Sequence, residues 1–333
     1  MSPVSNPTLP TPPVTATLLV SCGDRTGLVA ALSEFVFQYG GNILDADQHA
    51  EVETGLFFMR LKWDLANFKL ARPQIQSALE MLATRFQLAW ELTYSDVRPR
   101  VAVFASRSPH CLYDLLLAHQ LGELGGDLVA VVSNHDELRS VAGHFGVRYE
   151  HIPVAAGDKT QAEAATQRLL DELSVDLIVL ARYMQILTPE FVGRWPARII
   201  NIHHSFLPAF VGAKPYHQAK ERGVKVIGAT AHYVTSDLDQ GPIIEQDVGR
   251  VSHRDDVEAL AQKGRELERQ VLTRAVRLHL DRRVLVSGNR TARVSTCRSS
   301  SRPFCTIVST SSRWLTRHTS CSMIGPWSRS LVT

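Results

Sequence analysis

Asn201, His203 and Asp239 are the residues whose types and spacing offer chemistry. The first two stand in Asn201-Ile202-His203-His204-Ser205-Phe206-Leu207-Pro208, and Asp239 follows His203 by 36 residues. An Asn amide is a neutral donor suited to a carbonyl oxygen that turns negative in a tetrahedral intermediate. A neighbouring imidazole can donate to the same oxygen or shuttle a proton near neutral pH. A carboxylate can orient and charge that imidazole, or take a proton from an attacking water. The set describes acyl-group transfer without a covalent nucleophile. Singly, Asn and Asp are common turn formers, so the combination carries the argument.

Competing chemistries lack their signatures. Ser205 has no G-x-S-x-G elbow around it, which argues against a serine hydrolase. His203-His204, with His217, His232 and His253 elsewhere, suggests a metal, yet adjacent histidines do not share a face and no H-E-x-x-H occurs; no metal is expected. Ser106-Arg107-Ser108-Pro109-His110-Cys111 is the first strand-to-helix turn of the second half and contains no glycine. Dinucleotides, nucleoside triphosphates and a phosphate seated on that turn are therefore disfavoured, and no cofactor is expected.

These groups need a frame. Arg198-Ile199-Ile200 opens an apolar strand over 198–202 that delivers Asn201 and His203 where a strand stops, the place where open α/β sheets bind ligands. A strand over 228–234 leads into Ser236-Asp237-Leu238-Asp239-Gln240-Gly241-Pro242, the loop that carries Asp239. Upstream, strands over 101–105, 128–133, 147–152 and 176–180 alternate with helices over 109–121, 136–145 and 159–173. A long amphipathic helix over 255–280 follows, turning Val257, Leu260, Ala261, Leu267, Val271, Ala275 and Leu278 inward. Alternation of this kind predicts an α/β Rossmann-like domain over 101–290 with a mostly parallel sheet.

Before the linker at 96–100, the periods give strand 18–22, a helix with Leu28, Ala31, Leu32, Phe35, Val36 and Tyr39 on one face, strands 42–50 and 56–63, helix 73–86 and strand 88–94. The order is βαββαβ, an α+β ferredoxin-like unit over 17–95. Such a unit can be structural, a dimerisation module or a ligand-binding one, and fold alone does not choose. Its Gly-flanked helix start does offer free N–H groups to a ligand carboxylate.

The 333 residues suffice for two such domains. Net charge is +3, but 292–333 hold six Arg and no Lys, Asp or Glu; setting those six aside leaves 30 of the 36 basic residues against 33 acidic ones. The body is mildly acidic and shows no nucleic-acid footprint. Five cysteines without a Cys-x-x-Cys argue against disulfides or a thiolate metal site. No secretory signal or membrane-length apolar run is found, so a cytoplasmic location without a membrane partner is expected. Residues 1–16, rich in Pro, Ser and Thr, are expected to form a disordered leader. With 11 Ser, 6 Thr and no sustained period after residue 291, 291–333 is expected to be a disordered tail or sequence foreign to the fold.

The motifs carry a specific resemblance. Asn201 to Pro208, Gly212-Ala213-Lys214-Pro215-Tyr216, Gly228-Ala229-Thr230-Ala231-His232-Tyr233-Val234 and Leu238-Asp239-Gln240-Gly241-Pro242-Ile243-Ile244 resemble the formyltransferase fold that uses 10-formyltetrahydrofolate. Ser21-Cys22-Gly23-Asp24-Arg25-Thr26-Gly27-Leu28 with Gly40-Gly41-Asn42-Ile43 resembles the ACT domain, a module that binds amino acids. An ACT-like unit ahead of a first turn without glycine is similar to the formyltetrahydrofolate deformylase family rather than to glycinamide ribonucleotide formyltransferases. The resemblance implies hydrolysis of 10-formyltetrahydrofolate to tetrahydrofolate and formate, the formate supporting purine synthesis. It implies Asn201, His203 and Asp239 as the catalytic trio. It also implies a folate pocket of Met184, Gln185, Ile186, Leu187, Val234 and Ser236, an effector site of Asp24, Arg25, Gly27, Asn42 and Ile43, and a homo-oligomer. A transferase acting on an amine, or a silent folate-binding protein, is the alternative.

Overall fold

Apolar–polar alternation begins at Thr15 and builds the first sheet. Strand β1 (Thr15–Gly23) starts inside the segment expected to be a disordered leader, because Ala16 is fully buried opposite Trp63 and already belongs to the core. Helix α1 (Leu28–Gln38) buries Leu28, Leu32, Phe35 and Val36. It stops at Gly40, whose φ of +77° suits glycine. At Gly41 a Cβ would stand 2.7 Å from Val36 Cγ1. Strands β2 (Ile43–Glu51) and β3 (Leu56–Asp64), helix α2 (Arg72–Phe86) and strand β4 (Ala89–Tyr94) complete the unit. The sheet order β2-β3-β1-β4, antiparallel throughout, is the expected ferredoxin-like arrangement.

The computed structural model describes residues 13–154, 158–207 and 215–294. Most of the leader, Pro208, Gly212, Ala213, Lys214 and nearly all of the tail therefore lie outside the described residues.

In the second half, β5 (Arg100–Ala105), α3 (His110–Gln120), β6 (Asp127–Ser133), α4 (Arg139–His144), β7 (Tyr149–His151), α5 (Lys159–Glu172) and β8 (Leu177–Ala181) follow in the expected alternation. Helix α4 is shorter than the expected 136–145, since Asp136 starts a turn whose carbonyl accepts from the Arg139 N–H. Then come α6 (Pro189–Gly193), β9 (Ile199–His203), α7 (Pro215–Glu221), β10 (Val226–Tyr233), β11 (Ile243–Arg250) and α8 (Val257–Leu280). The short helix α6 went unanticipated, although Thr188 caps it by accepting from Phe191 N at 3.2 Å and Pro189 opens it.

The sheet order is β11-β10-β9-β8-β5-β6-β7. From β9 to β7 the strands are parallel, while β10 and β11 join antiparallel at one edge, so the sheet is mixed. One face is covered by α3 and α8, through Leu112, Leu115, Leu116, Val271, Leu272 and Ala275. The other is covered by α5 and α6, through Leu169, Leu170, Phe191 and Val192. The chain leaves β5 toward β6 on one side and returns at β8 on the other, so the ends of β5 and β8 flank the topological switch point.

After α8 the chain makes a hairpin, β12 (Val284–Ser287) and β13 (Arg290–Arg293). This corrects the expected tail boundary at 291. Leu285 and Val294 pack against Leu19 and Phe58 of the N-terminal sheet, an apolar contact invisible to local composition.

Candidate active site

Asn201 and His203 alternate on β9 with the buried Ile200 and Ile202, so both project to one side of the sheet. Antiparallel pairing with β10 sets Thr230 opposite His203 and His232 opposite Asn201. The third group arrives from the loop between β10 and β11. Gly241 enables the approach: a Cβ there would lie 1.8 Å from the Tyr233 carbonyl oxygen. Tyr233 N–H donates to the Pro242 carbonyl at 2.9 Å and pins the far end. Asp239 itself has a φ of +56°, a costly conformation for a residue with a Cβ and one that clusters at functional sites.

The result is a contact chain. Asp239 Oδ2 is 3.1 Å from His203 Nδ1, and its Oδ1 is 3.6 Å from His232 Nε2. Asn201 Nδ2 is 3.3 Å from that same Nε2. His232 Nδ1 lies 2.9 Å from the Tyr233 carbonyl oxygen, while its Nε2 faces both Asn201 and Asp239. Hydrogen bonds from His203 and then His232 hold the Asp239 carboxyl well below the usual carboxylate range, against a smaller opposing push from burial. Asp239 is thus an anion at any working pH. His203 Nε2 is buried without a hydrogen-bond partner, as an atom awaiting a ligand would be.

His232, only 2% exposed, stands out in the sequence only among the histidines weighed as metal ligands, and its place beside the trio is new. Within Gly228 to Val234 it looks like one more strand residue. Its alternation with Ala231 and Tyr233 was the available signal.

A second polar group backs the first. The His204 ring stacks on His203 with centroids 4.9 Å apart. Arg182 Nη1 donates to His204 Nδ1 at 3.1 Å. Burial, then the Arg182 and His203 charges, lowers the His204 imidazole to about 4, so it stays neutral. Arg182 Nε lies 3.5 Å from Glu268 Oε2, which also meets His110 Nε2 at 2.8 Å; Tyr216 donates its hydroxyl to Oε1 at 3.2 Å. Burial pushes the Glu268 carboxyl up, but the His110 hydrogen bond and the Arg182 charge outweigh it and leave it lowered. Ligand atoms of His110, Cys111 and Glu268 lie within 4.8 Å of one another. They suit a cation poorly, because burial raises the Cys111 thiol well above its ordinary range and Arg182 already supplies positive charge.

Of the residues expected around a folate, Met184 and Ile186 are exposed on the segment after β8. Leu187 and Val234 pack in one apolar cluster, while Gln185 lines a small cavity together with Tyr183 and Glu163. Ser236 is exposed in the Asp239 loop. Phe206, after β9, and Leu238, in the Asp239 loop, are two further large exposed apolar side chains. In the N-terminal unit Asp24, Arg25 and Gly27 line a cleft of about 660 Å³ with Gln48, His49 and Phe57. Asn42 and Ile43 do not line it. Ile43 pairs with Trp63, whereas the cleft sits at the other end of the same ladder, where Ala50 pairs with Phe57.

Residues 99–276 match the formyl transferase family. The chain is 54% identical over 278 residues to a formyltetrahydrofolate deformylase of Synechocystis sp., covering 84% of this chain and 98% of that one. A Bacillus subtilis protein of the same name is 48% identical over 82% of this chain and 92% of its own length. The crystal structure of a formyltetrahydrofolate deformylase from Pseudomonas syringae pv. tomato superposes with a TM-score of 0.82 at 46% identity, covering 84% of this chain and 94% of that one.

Proposed function

The chain belongs to the formyltetrahydrofolate deformylase family, and from that premise we propose that it hydrolyses 10-formyltetrahydrofolate to tetrahydrofolate and formate. The observation that carries this is the convergence of Asn201, His203 and Asp239 at the strand ends of a formyltransferase-type domain.

The substrate's pterin lies on the 184–187 segment with Val234 and Ser236, its apolar edge against Met184, Ile186 and Leu187. Water adds to the formyl carbon, whose oxygen becomes negative and is met by Asn201 and His203. Asp239 holds the His203 Nδ1–H and supplies the countercharge as the imidazole gains a proton. The low proton affinity of its carboxyl supports His203, rather than Asp239, as the proton's resting place. The C–N10 bond then breaks, His203 returns the proton to N10, and the product acid ionises to formate. Both substrates, water and folate, are consumed without a cofactor. The formate feeds purine synthesis in this reading.

The N-terminal unit is an ACT-type regulatory module whose effector, a small amino acid, sits at Asp24, Arg25 and Gly27. Edge strand β2, with Leu44 49% exposed, is where a second copy would pair. Calorimetry of the full-length protein with glycine and methionine tests the effector, and an absence of heat for either would count against it. Among the described residues no helix is long and apolar enough to cross a membrane. The test of the reaction is formate release in the absence of any amine.

A further inference from the structure

The polar group behind His203 is built at a cost that the catalytic trio does not explain. Arg182, the first residue after β8, holds a φ of +62°, a conformation that a residue with a Cβ adopts only where its surroundings sustain it. Glu268 brings a carboxylate into the interior from α8, with only 2% of its surface exposed. An acid so placed is costly unless cations and donors meet it. Three groups do: His110 Nε2 at 2.8 Å, the Tyr216 hydroxyl at 3.2 Å and Arg182 Nε at 3.5 Å. The guanidinium thus anchored turns its Nη1 to His204 Nδ1 at 3.1 Å.

Two features of that last contact reach the chemistry. A guanidinium has only donors, so His204 Nδ1 must carry a lone pair and the ring proton must sit on Nε2. One tautomer is selected, and it is uncharged. The selected ring then stacks on His203, with 4.9 Å between centroids and 21° between planes. His203 is thereby held from its face by His204 and from its edge by Asp239 Oδ2, 3.1 Å from Nδ1. A cationic ring in the place of His204 would repel the charge that His203 acquires when it takes a proton. The charges that face His204 come from four elements. Arg182 beyond β8 and His203 on β9 favour its neutral form, while Glu268 on α8 and Asp239 in the β10–β11 loop favour its charged form. Burial sides with the first pair. Of the two cationic partners, Arg182 is the one whose charge is permanent.

We propose that Arg182 is a positioning residue for the hydrolysis: braced by Glu268, it fixes His204 as a neutral platform for His203, which then takes the proton with no second positive ring beside it. This rests on the deformylase reading above. Neither Arg182 nor His204 exchanges a proton with the substrate; both act through His203.

The test compares pH profiles. kcat and KM for 10-formyltetrahydrofolate are measured by formate release for wild type, Arg182→Gln and Arg182→Lys. Gln removes the positive charge, whereas Lys keeps it. The ratio of Arg182→Gln to wild-type kcat should fall about tenfold between about pH 8 and about pH 6, as His204 becomes protonatable. The Lys ratio should stay level across that range, and KM should change by less than about threefold in both variants. A Gln ratio that is flat with pH would reduce Arg182 to structural support and overturn the proposal. So would a rise in KM that accounts for the whole loss, which would place Arg182 on the folate, or a Lys ratio that falls as the Gln ratio does. A measurement on wild type keeps the test alive should the variants misfold. Nitrogen NMR of protein with isotope-labelled imidazoles, with His204 identified by its absence in His204→Phe, should show an unprotonated Nδ1 down to about pH 5. A His204 ring that titrates between about pH 8 and about pH 6 in wild type would equally overturn the proposal. A wild type that releases no formate without amine would instead defeat the deformylase reading.

Discussion

At the scale of single residues, the Asp239 carboxylate accounts for most of what the site can do. It is ionised, it holds His203 Nδ1, and it faces the Asn201–His232 pair. Asp239→Asn should lower kcat by about a hundredfold or more while folate binding persists, since the lost interaction belongs to the transition state. Single-turnover formate release beside a fluorescence titration of folate would check it; near-wild-type turnover would remove Asp239 from the mechanism. His232→Ala should lower kcat about tenfold to a hundredfold with little change in KM, because it frees Asn201 and Asp239 to drift. Asn201, His203 and Asp239 were readable in the sequence because polar groups follow an apolar run just where a strand must end. The place of His232 beside the trio, and Glu268 altogether, were not legible there. The first declares itself only once β10 is known to pair antiparallel with β9. The second is an acid on the buried stripe of α8, a signal present in the periodicity but eclipsed by the apolar residues around it.

At the scale of elements, the β10–β11 connection decides whether the trio assembles. Gly241→Ala would force a methyl into the Tyr233 carbonyl and push the Asp239 loop away from β9. We expect kcat and melting temperature to fall together; unaltered kinetics would mean that the loop absorbs the methyl without moving Asp239. Helices and parallel strands with clear periods were legible to within a few residues. Strand β11 was not anticipated: Ile243–Arg250 alternates only weakly, and it is a strand because β10 offers it an edge. The β12–β13 hairpin escaped for a similar reason, its apolar partners Leu19 and Phe58 lying more than 200 residues away in the chain.

At the scale of the whole molecule, the N-terminal unit is clasped to the catalytic domain by a few contacts. Arg60, 4% exposed, pairs with Asp45 at 2.5 Å and donates to the Arg282 carbonyl at 3.0 Å. Arg60→Met should cost about 2 kcal/mol and lower the melting temperature by several degrees; an unchanged midpoint would show that the clasp adds nothing. A chain ending at Val294 should melt with the full-length protein. One ending at Arg290 should melt lower, because it loses the Val294 contact. Stability should also fall in mild acid. Burial lowers the imidazoles of His204 to about 4 and of His279 to about 3 from 6.5. Both folded values are depressed, so between pH 6.5 and about 4 the unfolded chain binds more protons, and stability drops as pH falls through that window. A melting temperature flat from pH 7 to 5 would contradict this. The central claim, that water is the acceptor at a site built from Asn201, His203 and Asp239, is tested most directly by mixing the purified protein with 10-formyltetrahydrofolate and no amine. Formate and tetrahydrofolate appearing in equal amounts, and vanishing with Asp239→Asn, is the predicted result; formyl release that occurs only when an amine is added would contradict it.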